Sequence, residues 1–317
     1  MKESTVSLFY KSKPYRIVAG DAKSGTLSHA YLLVCPDGAN LRAFLKELAV
    51  LVAGGDERRD RLIREERFAD MAVIPAETGG KIAVGDVRAV IDDAYVKPLE
   101  SDRKLYVLDA LQDANAAAQN KLLKILEEPP ENVYFILGST NGYAVLPTVL
   151  SRVKKLELVG FSEKDIAAAL KEKFPYREDI AEIAAISGGN LGKAEELAGE
   201  GSLTELSAKA AQIALNLTAS TAVEFARGLV SEKVEGNKFL PLLRLAFRDM
   251  LMLRLNRKDL LLFGGERAVL EKAAKRYDER ALVFSQEAIG QAERNLKFNA
   301  NPAMTYETLF IRILEGR

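Results

Sequence analysis

Residues 31–42, Tyr-Leu-Leu-Val-Cys-Pro-Asp-Gly-Ala-Asn-Leu-Arg, run from a buried-strand pattern through a turn into a helix start, where a phosphate-binding loop would sit. Such a loop needs G-x-x-x-x-G-K-[ST]: glycines let backbone N–H groups close around phosphates, the lysine meets the β/γ oxygens and the hydroxyl holds Mg²⁺. Here Cys35 and Asn40 stand at the glycine positions, Leu41 at the lysine and Arg42 at the hydroxyl, with Gly38 inside the turn. The expectation is the scaffold of a nucleotide-hydrolysing fold without the groups that hydrolyse, and with no cofactor. Asp109 and Ala110 point the same way. An aspartate ending an apolar strand can hold a Mg²⁺ water shell, but a methyl beside it cannot polarise the attacking water. With the upstream loop broken, Asp109 reads as vestigial, a carboxylate capping a strand-to-helix turn.

Other polar residues read more plainly. The chain has one histidine, His29, and one cysteine, Cys35. An internal disulfide is thereby excluded, no metal site is expected, and His29 is read as a structural hydrogen-bonding residue. Ser139, Thr140 and Asn141 follow an apolar run and suit the hydrogen bonding of a turn. The mixed-sign run 57–67 is read as a solvated loop and helix. Lys and Arg number 45 against 45 Asp and Glu, which argues against gripping nucleic acid by net field but leaves room for a local basic patch. There is no leader pattern and no apolar run of about 18 residues, so a soluble cytoplasmic chain with no membrane partner is expected.

The elements that must position these residues follow from periodicity. In the first half, short apolar runs at 30–34, 71–74, 104–108, 133–137 and 155–159 alternate with segments of helical period, the pattern of a parallel α/β sheet covered on both faces. Leu41, Phe44, Leu45, Leu48, Leu51 and Val52 share one helical face, and Val87, Val90, Ile91 and Ala94 another, with Asp86 as the expected N-cap. Ala114, Ala118, Leu122, Ile125 and Leu126 stripe a helix that Asp113 would cap and Pro129-Pro130 would stop. Beyond Gly160 every periodic segment is helical, including 238–256 with Leu240, Leu243, Phe247, Met250, Leu251 and Leu255. Three units are expected: 1–159 an α/β domain, 160–201 a small helical domain and 202–317 an all-α domain.

The block Lys121-Leu122-Leu123-Lys124-Ile125-Leu126-Glu127-Glu128-Pro129-Pro130 and the later Leu-Pro-Thr-Val-Leu-Ser-Arg ending at Arg152 closely resemble the AAA+ subunits of the bacterial DNA polymerase III clamp loader. Ser-His-Ala-Tyr-Leu from Ser28, Ser-Gly-Gly-Asn-Leu-Gly-Lys-Ala from Ser187 and Asn-Ala-Asn-Pro-Ala-Met-Thr-Tyr-Glu-Thr-Leu from Asn299 resemble the same family, especially its delta prime type. The matches extend from about residue 17 to the end of the chain.

The resemblance implies a P-loop NTPase-like (AAA+) domain, a three-helix lid and a helical collar that oligomerises with partner collars. It implies a stator that hydrolyses no ATP within the DNA polymerase III holoenzyme and has tau/gamma-type motor subunits and a delta subunit as partners. The sliding clamp and primed DNA are partners through that complex. Ser151-Arg152 matches the family's S-R-C motif, with Val153 replacing cysteine, which implies that Arg152 reaches the ATP site of a neighbouring subunit. Such an arginine is typically worth ~10³ to 10⁵ in rate. Lys193 stands where related ATPases place a lid arginine and reads as a lysine on a solvated helix start. Arg88, with Lys81 before it, lies on the helix that would face DNA, where it could contact phosphate without reading sequence. The four-cysteine zinc module of many delta prime relatives has no counterpart in 54–61. Two other functions remain at this stage: a motor subunit of the same loader with an unusual loop, and a non-replicative scaffold on the inactive fold.

Overall fold

The computed structural model describes residues 3–263 and 267–317. Two compact units emerge: one comprises the chain to Lys173 with Gly189–Glu195, the other Phe174–Gly188 with Glu196–Arg317. The segment 160–201, expected as a lid, thus contributes to both.

The first unit opens with α1 (Glu3–Tyr10) and α2 (Lys13–Ser24), which periodicity had not revealed. The signal was local: Ser12 caps α2 by accepting the Tyr15 N–H, and Pro14 occupies its first turn. There follow β1 (Ala30–Val34), α3 (Gly38–Ala53), α4 (Glu57–Arg64), β2 (Met71–Ile74), α5 (Val84–Ala94), β3 (Lys104–Leu108), α6 (Ala116–Glu127), β4 (Val133–Ser139), α7 (Pro147–Leu150), β5 (Lys154–Glu157) and α8 (Glu163–Lys173). The five strands are all parallel in the order β2-β3-β4-β1-β5, the α/β sheet expected from the AAA+ resemblance.

Alternation along the strands builds two cores. Tyr31, Leu33, Leu105, Val107 and Ile136 pack with Leu41, Phe44, Leu45 and Leu48 of α3 on one face. Ala30, Leu32, Tyr106, Leu108, Phe135 and Leu137 pack with Val87 and Val90 of α5 and Leu122 and Ile125 of α6 on the other.

Three local expectations need correction. Asp86 does not cap α5: the helix begins at Val84, and Asp86 reaches back from its third position to accept the Ala83 N–H at 2.8 Å. Asp113 does not cap α6, because Asn115 lies closer and accepts the Ala118 N–H at 2.8 Å, leaving Asp113 and Ala114 in the preceding turn. The last strand ends at Glu157 rather than 159, since an edge strand buries only Leu156 along its length and Val159 is exposed.

The second unit holds α9 (Ile180–Ile186), the end of α10 (Leu191–Gly199) from Glu196 onward, α11 (Thr204–Asn216), α12 (Ala222–Ser231), α13 (Gly236–Arg254), α14 (Arg267–Ala274), α15 (Glu279–Lys297) and α16 (Pro302–Glu315). Leu240, Leu243, Phe247 and Met250 of α13 and Leu309, Phe310 and Ile313 of α16 are fully buried within it, so these stripes are core, whereas Leu255 is exposed. The buried Asp249 carboxylate accepts N–H groups of Leu262 and Phe263, both at 2.8 Å, and pairs with Arg248, tying the segment after α13 to that helix.

Candidate functional site

The loop between β1 and α3 is filled by its own side chains. Asp37, 3% exposed, caps α3: its carboxylate accepts the Asn40 N–H at 3.2 Å and the Asn40 side-chain amide at 2.9 Å. The same carboxylate accepts the Gly192 N–H, at the start of α10, at 2.9 Å. Asn190 joins the same contact, donating to the Pro36 carbonyl at 3.1 Å and capping α10 through the Lys193 N–H at 2.9 Å. A carboxylate thus sits where backbone donors of two helix starts converge, a setting that suits an anion. Close approach requires glycine at 192, because a Cβ there would lie 2.4 Å from Asp37 Oδ1 and 2.7 Å from the Ala39 methyl.

Cys35, Leu41 and Arg42, which stand at motif positions, are all committed to the interior. Leu41, 1% exposed, is inserted in the core over Gly138 of β4, and Cys35 is buried, its thiol pushed up to about 12 by burial. The Arg42 guanidinium grips Glu66 with Nε–Oε1 2.8 Å and Nη2–Oε2 2.5 Å, and donates to the Pro75 and Ala76 carbonyls at 2.8 and 3.0 Å. Lys46 adds a 3.0 Å contact to Glu66. Hydrogen bonding from Arg42, reinforced by Lys46, holds the Glu66 carboxyl down at about 2. Nearby, Glu47 is buried and shared by Arg64 and the Tyr10 hydroxyl at 2.8 and 2.9 Å; burial first, then Glu47, lifts that phenol to about 12. The reading of 57–67 as merely solvated is therefore corrected: Arg64 and Glu66 supply ion pairs that clasp α3.

Asp109 is buried just past β3, its N–H donating to the Ile74 carbonyl at 2.8 Å. Burial raises its pKa and the nearby Arg42 charge opposes that rise. A carboxylate in this setting serves the interior and has Ala110 beside it. Ser139 and Asn141 hydrogen-bond the turn after β4, and the Thr140 N–H donates to Gln112 at 3.0 Å.

Arg152 follows α7, apart from the β1–α3 loop in the chain's pairing: it lies beside the start of β5, whereas the loop follows the end of β1, and these strands run parallel. It borders an open cleft of about 590 Å³ also lined by Ser28, His29, Glu127, Ser151 and Lys154. Its Nη1 donates to the Thr148 carbonyl at 2.8 Å and to Ser151 Oγ at 3.2 Å, and its Nη2 pairs with Glu127. Nε is buried without a hydrogen-bond partner. Lys154 pairs with Asp21 at 2.6 Å, and His29 Nε2 meets the Leu126 carbonyl at 2.9 Å. Val153 packs at the margin of the core beneath the cleft.

Arg88 and Lys81 are both exposed, the former on α5, and neither pairs with a described carboxylate. Lys193 is half-buried at the start of α10. Among the described residues no group of three or more His, Cys, Asp or Glu side chains could hold a metal ion, and no helix is long and apolar enough to cross a membrane. Sequence reading missed Asp37, whose Pro-Asp-Gly setting is a turn and N-cap signal. It also missed Gly192 and Glu127, whose roles depend on contacts 155 and 25 residues away along the chain.

A family model described as "DNA polymerase III, delta subunit" matches residues 10–162. The DNA polymerase III delta prime subunit of Bacillus subtilis is 24% identical over 315 residues, covering 95% of each chain. A DNA polymerase III gamma subunit of Buchnera aphidicola is 34% identical over 154 residues, which span 46% of this chain and 42% of that protein. A solved gamma subunit-related protein of Thermotoga maritima aligns over 94% of this chain and 99% of its own at 19% identity, with a TM-score of 0.44.

Proposed function

We propose that the chain is a clamp-loader subunit of the delta prime type and acts as the loader's stator, hydrolysing no ATP and lending Arg152 to the nucleotide pocket of a neighbouring tau/gamma-type motor subunit. The observation that carries this reading is the Asp37 carboxylate held by Asn40 and Gly192 where two helix starts converge. A second anion brought there would meet like charge in a poorly solvated place, and Leu41 and Arg42 are committed elsewhere. Arg152 is supported by its place at the rim of an open cleft, directly after Ser151. A guanidinium reaching a γ-phosphate there would neutralise charge that builds up in the transition state.

In this proposal the α/β domain spans 1–159, the lid 160–201 and the collar 202–317, working in the cytoplasm beside a delta subunit to place the sliding clamp on primed DNA. Exposed Phe298, Met304 and Ile311 in the helical unit suit contact with partner collars. Arg88 suits a phosphate contact that positions without reading sequence.

Two measurements test the reading. In single-turnover assays the isolated chain shows no Mg²⁺-dependent ATP hydrolysis; detectable hydrolysis overturns the stator role. In a loader reconstituted with its motor and delta subunits, Arg152→Ala assembles normally and lowers clamp-stimulated ATPase by about tenfold or more at the site it completes. Full activity of that variant removes Arg152 from the mechanism.

A further inference from the structure

We infer that Glu127 is a positioning residue for Arg152, holding the guanidinium on the chain's own surface until a phosphate of the neighbouring nucleotide takes its place. The inference rests on the reading of Arg152 as a trans-acting arginine. In the free chain its terminal nitrogens are spent at home: Nη1 on the Thr148 carbonyl and Ser151 Oγ, Nη2 on Glu127.

Three features make this arrangement a releasable hold. Glu127 is the last residue of α6. A carboxylate there faces the negative end of the helix dipole, an unfavourable position that its own helix does not explain. What answers its charge is Arg152, 25 residues further along. The resting geometry is also incomplete, since Arg152 Nε is buried with no acceptor, so the guanidinium gains a donor's worth of bonding by moving to a richer set of oxygens. Finally, the pair is partly open to water, with Glu127 52% and Arg152 28% exposed, so solvent screens the attraction and phosphate can replace carboxylate as one charge-assisted acceptor for another. Glu127 therefore competes with phosphate for one guanidinium and sets how readily Arg152 leaves.

The test uses full-length Glu127→Gln in the reconstituted loader, with ATP as the probe. The ATP concentration for half-maximal rate falls about two- to fivefold, the range of an exposed ion pair, while kcat stays within about twofold and Glu127→Asp behaves as wild type. The effect vanishes when Glu127→Gln is combined with Arg152→Ala. Thermal melting of the variants checks that folding is kept. An unchanged or raised half-saturation for Glu127→Gln, with Arg152→Ala alone still damaging, overturns the role of Glu127 and leaves that of Arg152 standing. Full ATPase in Arg152→Ala overturns both.

Discussion

Asp37 fills the β1–α3 loop with a carboxylate of the chain's own. Its carboxylate serves the start of α3 and the Gly192 N–H at once, so Asp37→Ala removes a helix cap, worth about 0.5–2 kcal/mol. It also leaves a buried N–H without its acceptor, a further cost of about 1–3 kcal/mol. We expect Asp37→Ala to lower Tm by roughly 5 °C or more, and Asn, which keeps an acceptor, to lower it less; equal Tm for all three would show that the contact is idle. Glu66 gives a pH signature. Its carboxyl is held at about 2, chiefly by Arg42, against about 4.3 in an unfolded chain. Because the folded value is depressed, this stabilisation is complete above roughly pH 4.3 and is lost as pH falls toward 2. Glu66→Gln should therefore cost about 1–3 kcal/mol at neutral pH and flatten the acid limb of a stability curve recorded by denaturant unfolding between pH 7 and 2. The Arg42–Glu66 partnership was not legible in the sequence, because these residues lie 24 positions apart and meet only after α3 and α4 fold together. The departure of residues 35–42 from G-x-x-x-x-G-K-[ST] was legible because that motif is a fixed spacing of residue types.

Among the elements, α3 carries the strongest constraint. Its stripe from Leu41 through Leu48 was readable as helical period, and the structure buries that stripe against the sheet. Leu41 thereby points into the core, so a lysine placed at this position would be buried. Leu41→Lys would put an ammonium over Gly138 and Leu45, costing several kcal/mol. We expect a Tm loss of about 10 °C or more and no ATP retained on nucleotide filter binding. The start of α10 is constrained as tightly: Gly192→Ala must displace Asp37 or Ala39. Faster amide hydrogen exchange at Lys193 and Ala194 is the expected sign, and unaltered exchange would mean that the contact yields without cost. Strand positions were recoverable because apolar residues cluster in short runs. Boundaries failed where a neighbour offered the better geometry, as Asn115 did over Asp113, or where an edge strand buries too little to mark its end, as in β5.

For the whole molecule, composition and motif order correctly indicated an α/β portion followed by a helical one. Whether the apolar stripes of the helical portion were core or interface needed coordinates: Leu240, Phe247, Phe310 and Ile313 are core. A stoichiometric complex with motor and delta subunits on size exclusion is expected of a loader component; elution of the chain alone from such a mixture would instead favour a scaffold outside replication. The Asp37 carboxylate has one last consequence. A ligand written into the polypeptide cannot diffuse away, be exchanged or run short, so the start of α3 and the start of α10 are joined identically in starved and well-fed cells. In the loader we propose, motor neighbours that rise and fall with the adenylate pool would thus have a fixed edge against which to move.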